Sequence, residues 1–327
     1  MSSLCILAVD LGGTQIRAAR FAERQEMEAR TALETRADEG LQAVFGRVVA
    51  AVSEVWPAGG DVAVAGIALG APGPLNFRRG VLRFAPNLPG WENVPLRDML
   101  TERFGVPAFV GNDADVAALA EHRFGAGKGL PDLVYLTIST GIGGGMIFDN
   151  RLFTGGHGLG GEVGHMAIDP HGPKCTCGNV GCLEVLASGT AIARRARERL
   201  ARGEKSSLLR LVGGDLSRIT AREVNVAGQQ GDALAVSVFR EAGTYIGSAL
   251  VSLMYMLDPS LFVLGGSVTR AGELLFGPIR ETVETRAPQA YREHTDIVQA
   301  ELGSDVGLWG ALALALMELG GGPGRVD

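Results

Sequence analysis

Leu4-Cys5-Ile6-Leu7-Ala8-Val9-Asp10-Leu11-Gly12-Gly13-Thr14 opens the chain with an apolar run that ends in an acid and turns through two glycines. The run reads as a buried strand and the glycines as the break at its end. Gln15–Ala22 and Glu26–Thr35 follow as two further strands of a meander. A second passage of the same kind starts at Leu133. Leu133–Ile138 is an apolar strand, Ser139-Thr140-Gly141-Ile142-Gly143-Gly144-Gly145 a glycine turn, and Met146–Phe148 the resumption of the sheet. The likeness is one of pattern, with no sequence repeat. It predicts two α/β halves, each opened by a strand that runs into a Gly-Gly-containing turn with a threonine beside it.

Working outward, Gly40–Val55 has helical periodicity in Leu41, Val44, Phe45, Val48 and Val52. Val62–Leu69 is a strand broken by Gly70-Ala71-Pro72-Gly73-Pro74. Leu96–Phe104 is a short helix, Ala108–Val110 a strand and Ala114–Phe124 a helix. Residues 154–184 form a long loop rich in Gly, His and Cys, of the kind that is functional or metal-stapled. Helices dominate from Ser188 to Leu257. Leu261–Leu264 and Thr295–Ala300 are strands, and Val306–Leu319 is the last helix. The expected division is a small lobe over 1–115, joined by a C-terminal helix at 305–327, and a large lobe over 116–304 that carries the 154–184 loop.

The 327 residues are 46% hydrophobic and 20% charged, which predicts a packed globular protein. A net charge of −6 argues against nucleic acid as a partner, because phosphate backbones select clustered Lys and Arg. No stretch reaches the ~20 apolar residues of a membrane span, and the N-terminus lacks a basic region and a cleavage site. A cytoplasmic protein is expected, with no membrane partner.

Four groups of residues point to chemistry. The turns at Asp10–Thr14 and Ser139–Gly145 expose backbone N–H groups that can cradle phosphate, with Asp10 placed for Mg²⁺ and the hydroxyl of Thr140 beside its turn; a plain hairpin is the alternative for each. Gly265-Gly266 ends another strand, either to let an adenine lie against backbone or to pack tightly. Asn112-Asp113 ends a strand and starts a helix. Asp113 is a candidate general base for a sugar hydroxyl, and one of the pair is the helix N-cap. Asp115 lies inside that helix and is left aside. Finally, His165, Cys175, Cys177 and Cys182 make a complete tetrahedral zinc set with no open position, hence a structural metal. Glu162 and Glu184 flank it, and with His165 they offer the paired hydrogen bonds a polyhydroxylated ligand needs. His157 and His171, in the same loop, read as solvent-facing. Neither glycine turn fits a P-loop or a dinucleotide-binding pattern.

Taken together, Asp10-Leu-Gly-Gly-Thr-Gln-Ile-Arg17, Gly70-Ala-Pro-Gly-Pro74, Asn112-Asp113-Ala114, Ser139–Gly145, Gly161-Glu-Val-Gly-His165 and the Cys175–Glu184 knot resemble the ROK family (repressors, open reading frames and kinases), which includes bacterial glucokinases. The resemblance runs along essentially the whole chain. It implies an actin-like ATPase fold of two RNase H-like lobes, with ATP and a sugar in the cleft between them. It implies Asp113 as catalytic base and Asn87, Asn112, Asp113, Glu162, His165 and Glu184 as sugar ligands. Asp10, Gly12, Gly13, Thr14, Thr140 and Gly141 would surround the phosphates and Mg²⁺, Gly265 and Gly266 would lie near adenosine, and His165, Cys175, Cys177 and Cys182 would hold zinc. The activity implied is ATP-dependent phosphorylation of a hexose, glucose first, by a homodimer or homotetramer. The alternatives are a kinase for N-acetylglucosamine, N-acetylmannosamine, fructose or mannose, and a sugar-sensing protein without catalysis, as in repressor relatives.

Overall fold

The computed structural model describes residues 3–85 and 87–320. The chain divides into two compact units. The first comprises Met1–Gly129, Gly145–Gly161 and Glu301–Asp327, and the second Leu130–Gly144 and Glu162–Ala300.

In the first unit, β1 (Ser3–Leu11), β2 (Gln15–Ala22) and β3 (Met27–Glu34) form the expected meander, followed by α1 (Gly40–Val55) and β4 (Val62–Ala71). Next come three short strands, β5 (Leu75–Asn76), β6 (Val81–Phe84) and β7 (Glu92–Val94), then α2 (Leu96–Phe104), β8 (Ala108–Asn112) and α3 (Asp113–Phe124). The main sheet has the order β3-β2-β1-β4-β8, antiparallel on the meander side and parallel from β1 through β4 to β8. β1 is central, which explains its unbroken apolar run: Cys5 to Val9 are all buried. Register sets Asp10 opposite Gly70, Gly70 opposite Gly111 and Ala71 opposite Asn112, so these residues share one end of the sheet.

The second sheet repeats the order of the first. β9 (Leu133–Ile138), β10 (Ile142–Phe148), β11 (Arg151–Leu152), β12 (Leu261–Gly265) and β13 (Asp296–Gln299) stand as β11-β10-β9-β12-β13, with β9, β12 and β13 parallel. The glycine turn after β9 is shorter than its sequence suggests, because Ile142 to Gly145 already belong to β10. Gly145 is glycine for closeness: a Cβ there would lie 2.8 Å from the Cβ of Ala118 on α3. Helices α4 (Leu183–Ala187), α5 (Gly189–Ala201), α6 (Leu208–Leu211), α7 (Ala221–Gln229) and α8 (Ala233–Leu257) follow. After β12 come α9 (Glu273–Arg286) and α10 (Gln289–Arg292). α9 carries Pro278 within it and lies against α8 where Gly243 and Gly247 leave no room for a side chain. No described helix is long and apolar enough to cross a membrane.

The last helix, α11 (Val306–Leu319), belongs to the first unit and packs on α3, β1 and β4. The described helix ends at Leu319, and residues 321–327 of the segment expected to continue it lie outside the described residues. Trp309 of α11 sits between Phe21 of β2 and Phe124 of α3, with ring centroids at 5.0 and 5.1 Å. A lobe boundary at 115/116 would cut α3. The division falls after it instead, at Gly129, because α3 is buried along most of its length within the first unit.

Glu121, on α3, is fully buried. Its carboxylate accepts the N–H groups of Ala126 at 3.0 Å, Glu301 at 3.2 Å and Leu302 at 3.0 Å. It thus ties the segment leaving α3 to the segment that brings the chain back at 301. Glu121→Ala would strand three backbone donors, each costing about 1–3 kcal/mol. A loss of roughly 3 kcal/mol or more in urea unfolding is expected, with Glu121→Gln intermediate; a loss below about 1 kcal/mol would show that water replaces the carboxylate.

Candidate active site

The first unit carries four groups of candidate residues. Asp10 is the penultimate residue of β1, and its carboxylate accepts from the Arg17 guanidinium across the hairpin. Arg17 in turn reaches the Ser304 carbonyl. Gly307, in the first turn of α11, passes so close that a Cβ would lie 2.5–2.7 Å from the Asp10 carboxylate. The turn itself is clasped: Gly12 N–H donates to the Gln15 carbonyl at 2.9 Å, Thr35 N–H to the Thr14 carbonyl at 2.9 Å, and the Thr35 hydroxyl to the Gly12 carbonyl at 2.6 Å. Asn87 lies over Gly13, where a Cβ would sit 3.0 Å from its own.

At the end of β8, Asn112 is the N-cap of α3. Its Oδ1 accepts from Ala114 N–H at 2.9 Å, and its Nδ2 donates to the Gly73 carbonyl at 2.9 Å, fastening the helix start to the Gly70–Pro74 break. The capping residue is therefore Asn112. Asp113, the first residue of α3, stays exposed, with Oδ1 accepting Ala114 N–H at 2.8 Å. Asp115 is buried.

The second unit holds the remaining candidates. In the Ser139–Gly141 turn, Ser139 N–H donates to the Gly141 carbonyl at 2.9 Å. Gly189, at the start of α5, donates to the Ser139 carbonyl at 2.7 Å, and the Thr190 hydroxyl to the Thr140 carbonyl at 2.8 Å. Ser139 and Ser267 hydroxyls lie 3.1 Å apart. Glu184 accepts the Ile142 N–H at 3.0 Å, and its carboxylate fills the space a side chain at 141 would need. Gly266, at φ 91°, leaves no room for a Cβ against the backbone of Ile138, and Gly265 none against the Tyr135 side chain. Thr140 remains exposed, as does Glu162. The protein around the Glu162 carboxyl raises its pKa above the ordinary glutamate value, His165 opposes the rise and Glu184 adds to it.

His165, Cys175, Cys177 and Cys182 place one ligand atom each within 4.8 Å of one another. Cys177 and Cys182 sulfurs are 3.7 Å apart, and Cys175 sulfur is 3.7 Å from His165 Nδ1. Zinc–sulfur bonds of about 2.3 Å at the tetrahedral angle require edges of about 3.7 Å, whereas a disulfide would hold the sulfurs at about 2.0 Å. The donor set therefore fits zinc, bound through Nδ1 of the histidine, and four protein ligands leave no position for a reacting water. The loop is shaped for this: Gly178 and Gly181 take φ of 94° and 63°, and Cys175 N–H donates to the Asn179 carbonyl at 2.8 Å. His157 and His171 face solvent.

The ROK family model matches residues 6–318. The chain belongs to the ROK family. It is 36% identical over 321 residues to a glucokinase of Thermotoga maritima, covering 98% of this chain and all of the relative. A solved structure of a ROK family glucokinase from Streptomyces griseus, in complex with glucose and AMPPNP, superposes with a TM-score of 0.81 at 35% identity, covering 94% of this chain and 97% of that one. A xylose repressor of Caldicellulosiruptor bescii is 30% identical over 256 residues, 78% of this chain and 63% of the repressor.

Thr35, Thr190 and Ser267 were not singled out in the sequence, because isolated hydroxyl residues carry no local signal. Their proximity to the two turns is a product of the fold. The zinc site is directly testable. Purified protein is expected to hold about one zinc per chain by elemental analysis. Cys175→Ser should lose it and unfold at a lower temperature, as should wild type treated with a chelator. Zinc-free protein with an unchanged Tm would rule out a structural metal.

Proposed function

We propose that this ROK protein is an ATP-dependent glucokinase that transfers the γ-phosphoryl group of ATP to the 6-hydroxyl of glucose. The observation that carries this reading is Asp113: an exposed carboxylate at the first residue of a buried helix, held in place by the Asn112 cap. Such a group can take a proton from a sugar hydroxyl without leaving its position. Near-complete coverage of a glucokinase relative supports the choice of glucose.

In the proposed step, Asp113 accepts the hydroxyl proton as the sugar oxygen bonds to the γ-phosphorus. The bond from that phosphorus to the β,γ-bridging oxygen breaks, releasing ADP. Asn112, Asn87, Glu162, His165 and Glu184 supply the remaining hydrogen bonds to the sugar, with Nε2 of His165 free because Nδ1 serves the metal. Backbone N–H groups of Gly12–Thr14 and Thr140–Gly141 receive phosphate oxygens, and Gly265 and Gly266 lie beside adenosine. Asp10, oriented by Arg17, would hold the Mg²⁺ that accompanies ATP, which would supply charge neutralisation to the phosphates. The three thiolate ligands suit a reducing compartment, so the cytoplasm is the proposed location, and a homodimer the proposed assembly.

Asp113→Asn is expected to lower kcat by about 10²–10⁴-fold in a coupled ADP-release assay while glucose still binds by calorimetry. Near-normal kcat in that variant would remove Asp113 from the role. Turnover by wild type with N-acetylglucosamine or mannose in place of glucose would replace the substrate, and none with any hexose would leave a sensor.

A further inference from the structure

The first unit contains a cavity of about 460 Å³ that none of the proposed sugar, nucleotide or zinc residues lines, within the range of about 300–1,000 Å³ typical of small-ligand sites. Its walls are the β5–β6 hairpin, which presents Arg78, Arg79 and Arg83 with Asn76, and the 155–159 loop, which presents His157 and Leu159. No acidic side chain lines it among the described residues. Among the described residues Arg78 and Arg79 have no ion-pair partner, and the Arg83 guanidinium makes one hydrogen bond, from Nη1 to the Asn93 side-chain oxygen at 3.0 Å. Three adjacent guanidinium groups without counter-charge repel one another, and they do so in a chain whose net charge is −6.

The walls are built, not incidental. Asn76 closes the hairpin turn, accepting Arg79 N–H on its side chain at 3.1 Å and Gly80 N–H on its carbonyl at 2.8 Å. Gly80, at φ 63°, is buried against the Arg97 side chain, and Arg97 Nη1 donates to the Arg78 carbonyl at 3.0 Å. Across the cavity, Gly158 is buried, and a Cβ on it would lie 3.3 Å from Phe77 N, so the loop is seated on the hairpin. The three arginines therefore line a concavity from a braced turn, with His157 on its opposite wall.

We propose that this cavity binds a small anion carrying two or more phosphate groups. Guanidinium forks match phosphate oxygens bidentately, and three of them call for more charge than one phosphate brings. The concave shape and the limit of three arginines select a small molecule over a nucleic-acid strand, whose binding needs an extended basic surface. The site is independent of glucose phosphorylation and would stand if that reading failed.

The test is calorimetry on the whole protein, with glucose and Mg-AMPPNP saturating the nucleotide site. Pyrophosphate, tripolyphosphate, fructose 1,6-bisphosphate, glucose 6-phosphate and sulfate are titrated in turn. One further site per chain is expected, taking the compounds with two or more phosphates in preference to glucose 6-phosphate and sulfate. Its affinity should fall about tenfold in Arg79→Ala, further in the Arg78→Ala/Arg79→Ala/Arg83→Ala variant, and steeply with salt. Preference for tripolyphosphate over fructose 1,6-bisphosphate would identify an inorganic chain as ligand, and the reverse a sugar bisphosphate. Circular dichroism and Tm check that the variants are folded. Absence of a further site, sulfate binding as tightly as pyrophosphate, or undiminished affinity in the triple variant would overturn the proposal.

Discussion

Val116 fills space that glycines leave open, and the position of the candidate base depends on it. A Cβ on Gly70 or Gly111 of the first sheet would lie 2.8 Å from a Val116 methyl, and a Cβ on Gly310 of α11 would fall on the Val116 carbonyl. On another side, Gly145 of β10 meets Ala114, Asp115 and Ala118. α3 is therefore gripped by glycines from β4, β8, β10 and α11, and interiors packed this closely do not deform gradually. Because α3 cannot shift along its axis without a clash, its first turn is fixed, and Asp113 with it. A larger residue at any of these four glycines would act on Asp113 without touching it.

The zinc ligands do for the second unit what packing does for the first. Between His165 and Cys182 the described chain has turns and two isolated β-bridges in place of helices or strands. Four ligand bonds to a zinc ion would close it. Cys182 is also the residue just before α4, so a metal held there would brace the helix that carries Glu184, and Glu184 in turn occupies the space over Gly141 and accepts from Ile142. The Cys3His cluster and the Ser139–Gly141 turn are thus joined through one carboxylate.

Much of this was legible in the sequence, for reasons that can be named. β1, α1, α2, β9 and α11 carry strong apolar patterns and clear breaks, and the Cys3His set is compact in sequence, so spacing alone defines it. The β5–β7 sheet was not legible, because strands of two to four residues in a Pro- and Gly-rich stretch are too short to show alternation. α9 was obscured by Pro278. Glu121 was hidden for a different reason: an acid on a helix reads as a solvent-facing residue until the segment at 301–302, far away in sequence, is seen to lie against it. The same holds for Thr35 and Ser267, whose roles depend on which strand ends meet.

The shared strand order explains why the candidates fall where they do. In each sheet three strands run parallel, β1-β4-β8 and β9-β12-β13. In such sheets ligands collect at the carboxyl ends of strands, where chain breaks expose backbone N–H groups and helices begin. Gly12–Thr14 follows β1 and Ser139–Gly141 follows β9; Gly70–Pro74 ends β4 and Gly265-Gly266 ends β12. The third pair breaks the symmetry. β8 ends in Asn112-Asp113 and passes directly into α3, whereas β13 ends at Gln299 and runs to Glu301, whose N–H is taken by Glu121. One carboxyl end of this pair presents an exposed acid and the other is consumed in holding the chain together. A repeated framework thus ends two strands in glycine turns but places an exposed acid at only one of its third pair of carboxyl ends, at the start of the tightly held α3.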